Sequence, residues 1–132
     1  MASTIAATRM TFALDCPDAV ALAEFYAALL GWRVDRDPTD DGWVEVHPPI
    51  ADAGASRLAF QQVSNYRAPE WPDGPTPQQA HLDFSVPDLD GAAAVAVGLG
   101  AVRHSVQPSE TGNWVVFSDP AGHLFCLCRH SD

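Results

Sequence analysis

"QQAHLDFSVPDLDGAA", residues 78–93, decides the fold. Its first half alternates: Leu82, Phe84 and Val86 are apolar, while His81, Asp83 and Ser85 are polar. Side chains of an extended strand point to its two faces in turn. One face is therefore suited to a core, the other to solvent or a polar cavity. Pro87 and Asp88 break the alternation, and Leu89, Ala92, Val95, Ala96 and Leu99 then recur at helical spacing up to Gly100. That change of period predicts a strand followed by a helix.

The same order occurs earlier in the chain. "TFALDCPD" (11–18) runs in phase with "HLDFSVPD" (81–88) at an offset of 70. Phe12 and Leu14 alternate with Thr11, Ala13 and Asp15. Asp18 is placed to cap a helix along which Ala19, Leu22, Ala23, Tyr26, Leu29 and Leu30 keep helical spacing, and Gly31 can supply its left-handed end. Short strands are expected after each helix: "WRVDRD", "GWVEVHP" and "SRLAFQQV", then "VRHSVQ", "NWVVFSD" and "HLFCLC". Trp43 and Trp114 each open a third strand, and "DPAGH" (119–123) has the turn residues that join the last two strands into a hairpin. Residues 64–79 hold four of the eleven prolines and cannot form a helix or a central strand. They read as a linker or an ordered loop that exposes Tyr66 and Trp71. The chain is thus an internal repeat of strand–helix–strand–strand–strand, which gives an α+β fold.

Composition narrows the function. With 132 residues, 47% of them hydrophobic, the chain can bury a core as one domain or two small fused modules. A formal net charge of −10 repels nucleic-acid phosphates and anionic membrane surfaces and mildly favours a cationic ligand. Its simplest role is solubility. The three cysteines, Cys16, Cys126 and Cys128, do not form a disulfide framework by number, and C-x-C is poor zinc-finger spacing. No export signal and no run of 18 apolar residues is present, so a cytoplasmic protein with no membrane or nucleic-acid partner is expected. There is no glycine-rich phosphate loop and no nucleophile elbow.

Three stretches carry a family likeness: "DAVALAEFYAALLGW" (18–32), "HLDFSVPDLD" (81–90) and "WVVFSDPAGHLFCL" (114–127). With them the chain resembles the vicinal oxygen chelate superfamily, in its glyoxalase-like, bleomycin-resistance-like branch, from about Thr11 to Cys128. The resemblance implies two βαβββ modules pairing into a cupped mixed β-sheet with helices on the outer faces and the ligand in the cup. It implies a single glyoxalase-like domain over 1–132, with module one at about 9–63, a connecting loop at 64–79 and module two at about 80–129. His81, Asp83 and Ser85 would then line the cup.

Metal-dependent members of that superfamily place four ligands on the first and last strands of the two modules. The matching positions are Thr11, Gln61 (or Gln62 if the phase shifts by one), His81 and Cys126. Only His81 is a strong ligand. Cys126 stands where the metal enzymes have a carboxylate and reads as an inert buried thiol. Neither a three-ligand catalytic zinc nor a two-histidine, one-carboxylate iron site is complete. Asp83 lies about 7 Å further along the strand and is better placed to orient His81 than to join it. No cofactor is therefore expected, with a divalent metal as the alternative. His47, His104, His123 and His130 read as strand-end, turn or surface residues, and Glu24 and Glu45 as isolated carboxylates.

The expected function is metal-independent binding of an aromatic or cationic small molecule. Its ligand-binding set is Thr11, Trp43, Gln61, Tyr66, Trp71, Asp83, Trp114 and Cys126. One alternative is a lyase, isomerase or dioxygenase-type enzyme with His81 as catalytic residue, either metal ligand or general base. Another is a degenerate module acting through dimerisation. A homodimer is the expected assembly.

Overall fold

The computed structural model describes residues 4–49 and 56–130. Ten elements follow one another: β1 (Thr11–Cys16), α1 (Ala19–Leu30), β2 (Arg33–Arg36), β3 (Trp43–His47), β4 (Arg57–Gln62), β5 (Leu82–Val86), α2 (Leu89–Gly98), β6 (Val102–Arg103), β7 (Trp114–Ser118) and β8 (Leu124–Arg129). They fall into two compact units that divide between Ser64 and Asn65. Each unit is one βαβββ module with a mixed four-stranded sheet, ordered β1-β4-β3-β2 in the first and β5-β8-β7-β6 in the second. The first strand of each runs parallel to the last, and the remaining neighbours are antiparallel. The α+β class and the repeat are as the sequence predicts.

In module one, the Asp18 side chain accepts from Ala21 N at 3.1 Å and caps α1. Gly31, at φ 69°, ends the helix in the left-handed region, where a residue with a Cβ costs about 1–2 kcal/mol. Ala19, Leu22, Ala23, Phe25 and Tyr26 are buried, and the helix packs against β3 and β4. Tyr26 stacks on Phe60 of β4 with centroids 5.4 Å apart. Phe25, outside the helical spacing read from the sequence, is also buried and meets Tyr26 edge-on at 4.9 Å.

In module two, Asp88 caps α2 through Gly91 N at 3.0 Å. Only Leu89 and Ala96 of this helix are buried. Val95 is 52% exposed and Leu99 39%, although both keep helical spacing. Leu89 and Ala96, seven residues apart, mark a narrow contact line, and Val95 sits about 100° round from Ala96. The core of this module comes instead from the sheet, where Phe117 and Phe125 stack at 5.4 Å and Phe84 meets Phe125 at 6.1 Å.

The expected strand "VRHSVQ" shrinks to two residues, and a side chain continues its hydrogen bonding. Gln107 Oε1 accepts from Val116 N at 2.9 Å, and Gln107 Nε2 donates to Val116 O at 2.8 Å. Gln107→Ala should destabilise the protein by about 1–3 kcal/mol, because the amide of a buried residue loses its acceptor. A denaturant titration measures this, and a midpoint unchanged from wild type would mean that water replaces the amide.

The proline-rich loop contains no helix or strand, as expected, apart from a bridge between Glu70 and Pro77. Its aromatics are not exposed as the sequence suggests. Tyr66 and Trp71 are half-buried. Tyr66 lies 5.4 Å from His123, and Trp71 packs against Val116, Leu124 and Cys126 of module two. The "DPAGH" turn is tied by the buried Asp119, whose Oδ1 accepts from Ala121 N at 2.9 Å and His123 N at 3.0 Å. Gly122 in that turn has φ 89°, and a Cβ there would lie 2.7 Å from Ala68 Cβ in the loop. No described helix is long and apolar enough to cross a membrane.

Candidate functional site

The polar face of module one is built on the alternation "WVEVH" (43–47) in β3. Val44 and Val46 are buried, and Trp43, Glu45 and His47 occupy the other face. Glu45 Oε2 accepts from Trp43 Nε1 at 2.9 Å. Its Oε1 contacts His47 Nε2 at 2.8 Å and accepts from Arg57 Nη1 at 3.3 Å. His47, only 5% exposed, has Nδ1 at 3.2 Å from Arg33 Nη2 and 3.6 Å from Asp35. With Arg33 donating to Nδ1, the imidazole is the tautomer that donates from Nε2 to Glu45. The hydrogen bonds from Trp43 and His47 hold the Glu45 carboxyl below its ordinary range. The sequence reading set Glu45 and His47 aside as single residues. The i, i+2, i+4 spacing of Trp43, Glu45 and His47 was the signal that joins them.

Asp35, Glu45 and His47 present donor atoms within 4.8 Å of one another. Arg33 and Arg57 already supply positive charge to that cluster. It is a self-satisfied network that ties the Trp43 indole N–H, while the residue as a whole remains 38% exposed.

Register places the remaining module-one residues. Gln61 lies opposite Trp43 on one side and Asp15 on the other, whereas Thr11 lies opposite Arg57. Four residues of strand, about 13 Å, separate the two rows, so Thr11 and Gln61 are not neighbours. Gln62 faces the other way, with Oε1 accepting from Ala19 N at 3.1 Å. Of the two glutamines, Gln61 is the one on the polar face.

In module two, Cys128 lies opposite Ser85 and Trp114, and Cys126 lies opposite Asp83 and Val116. Cys128 is thus the counterpart of Gln61, and Cys126 that of Ala59, which lies opposite Ala13 and Glu45. This corrects the sequence pairing of Gln61 with Cys126, which counted along the chain and missed a different offset for the last strands. Trp114 is 37% exposed at the position equivalent to Trp43.

His81, just before β5, has Nε2 at 3.2 Å from Asp83 Oδ1. The backbone spacing is as expected, but the side chains lean together and close the gap. Cys126 Sγ lies within 4.8 Å of donor atoms of both. Burial, reinforced by the Asp83 carboxylate, pushes the Cys126 thiol up to about 12, and the same two causes raise Cys128. Cys126 is therefore a neutral thiol at physiological pH. Native protein at neutral pH should leave Cys126 unalkylated by iodoacetamide while denatured protein reacts, as peptide mapping would show. Rapid native modification would mean that Trp71 does not shield it. Unfolded thiols ionise near pH 8.5. The stability held by protonated Cys126 is thus present below that pH and lost as pH rises toward about 12.

The four-ligand metal set of the superfamily does not fit these residues. Module one offers Thr11 and Ala59 at the relevant positions, and module two offers His81 and Cys126. No chemistry is derived through such an ion.

Two βαβββ modules of one topology, each turning a tryptophan-bearing polar face away from its helix-packed core, define a class of protein built by duplication of a small α+β unit. The chain belongs to the glyoxalase-like domain family, which it matches over residues 11–128. No curated protein matches it. Solved structures share the fold at low identity. TnmS3, an antibiotic binding protein from Streptomyces sp. CB03234, is 22% identical with a TM-score of 0.63, covering 98% of this chain and 100% of that one. The fosfomycin resistance protein FosX from Mesorhizobium loti is 19% identical with a TM-score of 0.62, covering 98% and 94%. Hypothetical protein SA1046 from S. aureus is 19% identical with a TM-score of 0.66, covering 96% and 100%.

Proposed function

We propose that the protein binds aromatic or cationic small molecules, without a metal, through the polar sheet face of each module, which carries Trp43 in the first and Trp114 in the second. One observation carries this reading: the two tryptophans occupy equivalent register positions, and each leaves more than a third of its surface exposed. Tryptophan is highly buried on average, so a repeated exposed position points to use. Each tryptophan has a polar residue beside it in register, Gln61 in module one and Cys128 in module two, with Asp15 and Ser85 one strand further on. Apolar ring faces with a few polar groups are what small-molecule sites are made of, and the acidic balance favours a cation over a ring face. Thr11 adds a hydroxyl to the first face. Asp83, Trp71, Cys126 and Tyr66 complete the second. That TnmS3 is described as antibiotic binding and FosX as a resistance protein supports a small organic ligand.

Tryptophan fluorescence titrated with planar organic cations tests the reading. Binding should be lost by about tenfold or more in Trp43→Ala or Trp114→Ala, the range of one buried aromatic anchor. It should survive a chelator. Binding unchanged in both variants, or abolished by chelation, overturns it.

A second reading rests on the His81–Asp83 contact of 3.2 Å. A carboxylate beside an imidazole orients it as a general base near neutral pH, suited to proton abstraction in a lyase or isomerase. His81→Ala should then abolish turnover and leave the melting curve intact, and surviving turnover ends the idea.

A further inference from the structure

We infer that the exposed face of α2 is the surface through which two copies of this chain pair, helix against antiparallel helix across a two-fold axis. The surface lies wholly in module two, and the inference does not rest on the small-molecule reading.

The two helices hold the same place in their modules but bury different amounts. α1 buries five residues and turns Glu24 outward. α2 buries only Leu89 and Ala96. At about 100° per residue, Val95 and Val97 flank that buried line on opposite sides, and Ala94 and Gly98 form the outward ridge between them. Both valines are 52% exposed and Leu99 is 39% exposed. The core-facing residues of β5 are also less covered than those of β1. Leu82, Phe84 and Val86 are half-buried, whereas Leu14 and Cys16 are buried.

Charge selects the occupant. No residue from Gly91 to Val102 is charged, in a chain whose formal net charge is −10. Two copies that meet along this run bring no carboxylates face to face, and an anionic membrane surface is repelled by the chain as a whole. The run is bounded by unlike charges. Asp90 lies in the first turn of α2, and Arg103 lies in β6 just past the end of the helix. Arg103 pairs in register with the buried Phe117, which places it on the helix-packed side of the sheet. Both are exposed, and among the described residues neither forms an ion pair. A two-fold axis across α2 sets the Asp90 end of each helix against the Arg103 end of the other. The same complementary contact is then made twice, and the two helix dipoles run opposed. A helix of 10 residues is about 15 Å long and supplies well under the roughly 800 Å² per partner of a standard interface, so a weak, concentration-dependent dimer is expected.

Sedimentation equilibrium of the intact protein, without added ligand and over a wide concentration range, is the test. A monomer–dimer equilibrium is expected. Ala94→Glu, on the outward ridge, should weaken it by about tenfold or more with the circular dichroism spectrum unchanged. Asp90→Arg and Arg103→Asp should each weaken it by about tenfold, and the two together should recover most of the loss, because the paired ends are again unlike. Glu24→Arg, the same change of charge placed on α1, should not weaken it. A monomer at every concentration, a dimer indifferent to Ala94→Glu, a double variant no tighter than either single one, or a loss in Glu24→Arg equal to that in Asp90→Arg overturns the inference. Fluorescence titration of the Trp43 and Trp114 variants reports separately on the small-molecule reading, so either can fail alone.

Discussion

Phe60→Ala lowers stability by about 3–5 kcal/mol, the largest loss expected of any single change considered for this chain. Phe60 is fully buried on the central strand β4 and stacks against Tyr26 of α1 at 5.4 Å. Truncation removes the aromatic contact between helix and sheet and leaves a cavity. Tyr26 also meets Phe25 edge-on at 4.9 Å, a contact it would lose by moving into the space. For a chain of this size the melting temperature should fall by roughly 10–20 °C. Val95→Ala is the matched control, since Val95 is 52% exposed. It should shift stability by no more than about 0.5 kcal/mol. Differential scanning calorimetry of the two variants decides the matter. A small loss for Phe60→Ala would mean that α1 settles into the space.

Glu45→Gln is the second large effect. Its carboxylate receives hydrogen bonds from Trp43, His47 and Arg57. A glutamine keeps the shape but turns an NH₂ group toward donors, and the unmatched polar atoms cost about 1–3 kcal/mol at neutral pH. The pH dependence identifies the cause. Glu45 is held below its ordinary range in the folded protein, so the unfolded chain takes up a proton first on acidification. Wild type keeps this stabilisation above the unfolded value of about 4.3 and loses it as pH falls through the lower folded value. The variant has no such loss to undergo. The stability gap between the two should therefore narrow below about pH 4.3. A gap constant across that range would show that packing, not charge, is responsible. Freed of its acceptor, the Trp43 indole should also shift its emission.

Local rules made the fold legible. Asp18 and Asp88 before apolar helical spacing, Gly31 after it, and the alternation of "TFALDC" and "LDFSV" each predict what they form. Long-range register was less legible. Which residue of β4 or β8 stands opposite which residue of the first strand depends on pairing across more than forty residues, and counting along the chain equated Gln61 with Cys126 where the sheets equate it with Cys128. The seat of Trp71 on Cys126 was invisible for another reason, because proline-rich segments carry no periodicity from which a buried face can be read. Half of the module-one network was written in the spacing of Trp43, Glu45 and His47. The arginines that complete it come from other strands and show only in three dimensions.

The strand order β1-β4-β3-β2, repeated in module two, bears on how the chain is made. In each module the strand synthesised last is inserted between the first and the third. While module one emerges from a ribosome, α1 and the β2–β3 hairpin can form, but β1 has no neighbour until Arg57–Gln62 appears. A nascent chain halted before Arg57 therefore displays two unsatisfied strand edges, and release of some six further residues closes both at once. Assembly of each module should proceed as a late, abrupt step during translation, twice over, with the interval between β1 and β4 as the window in which a chaperone has something to hold.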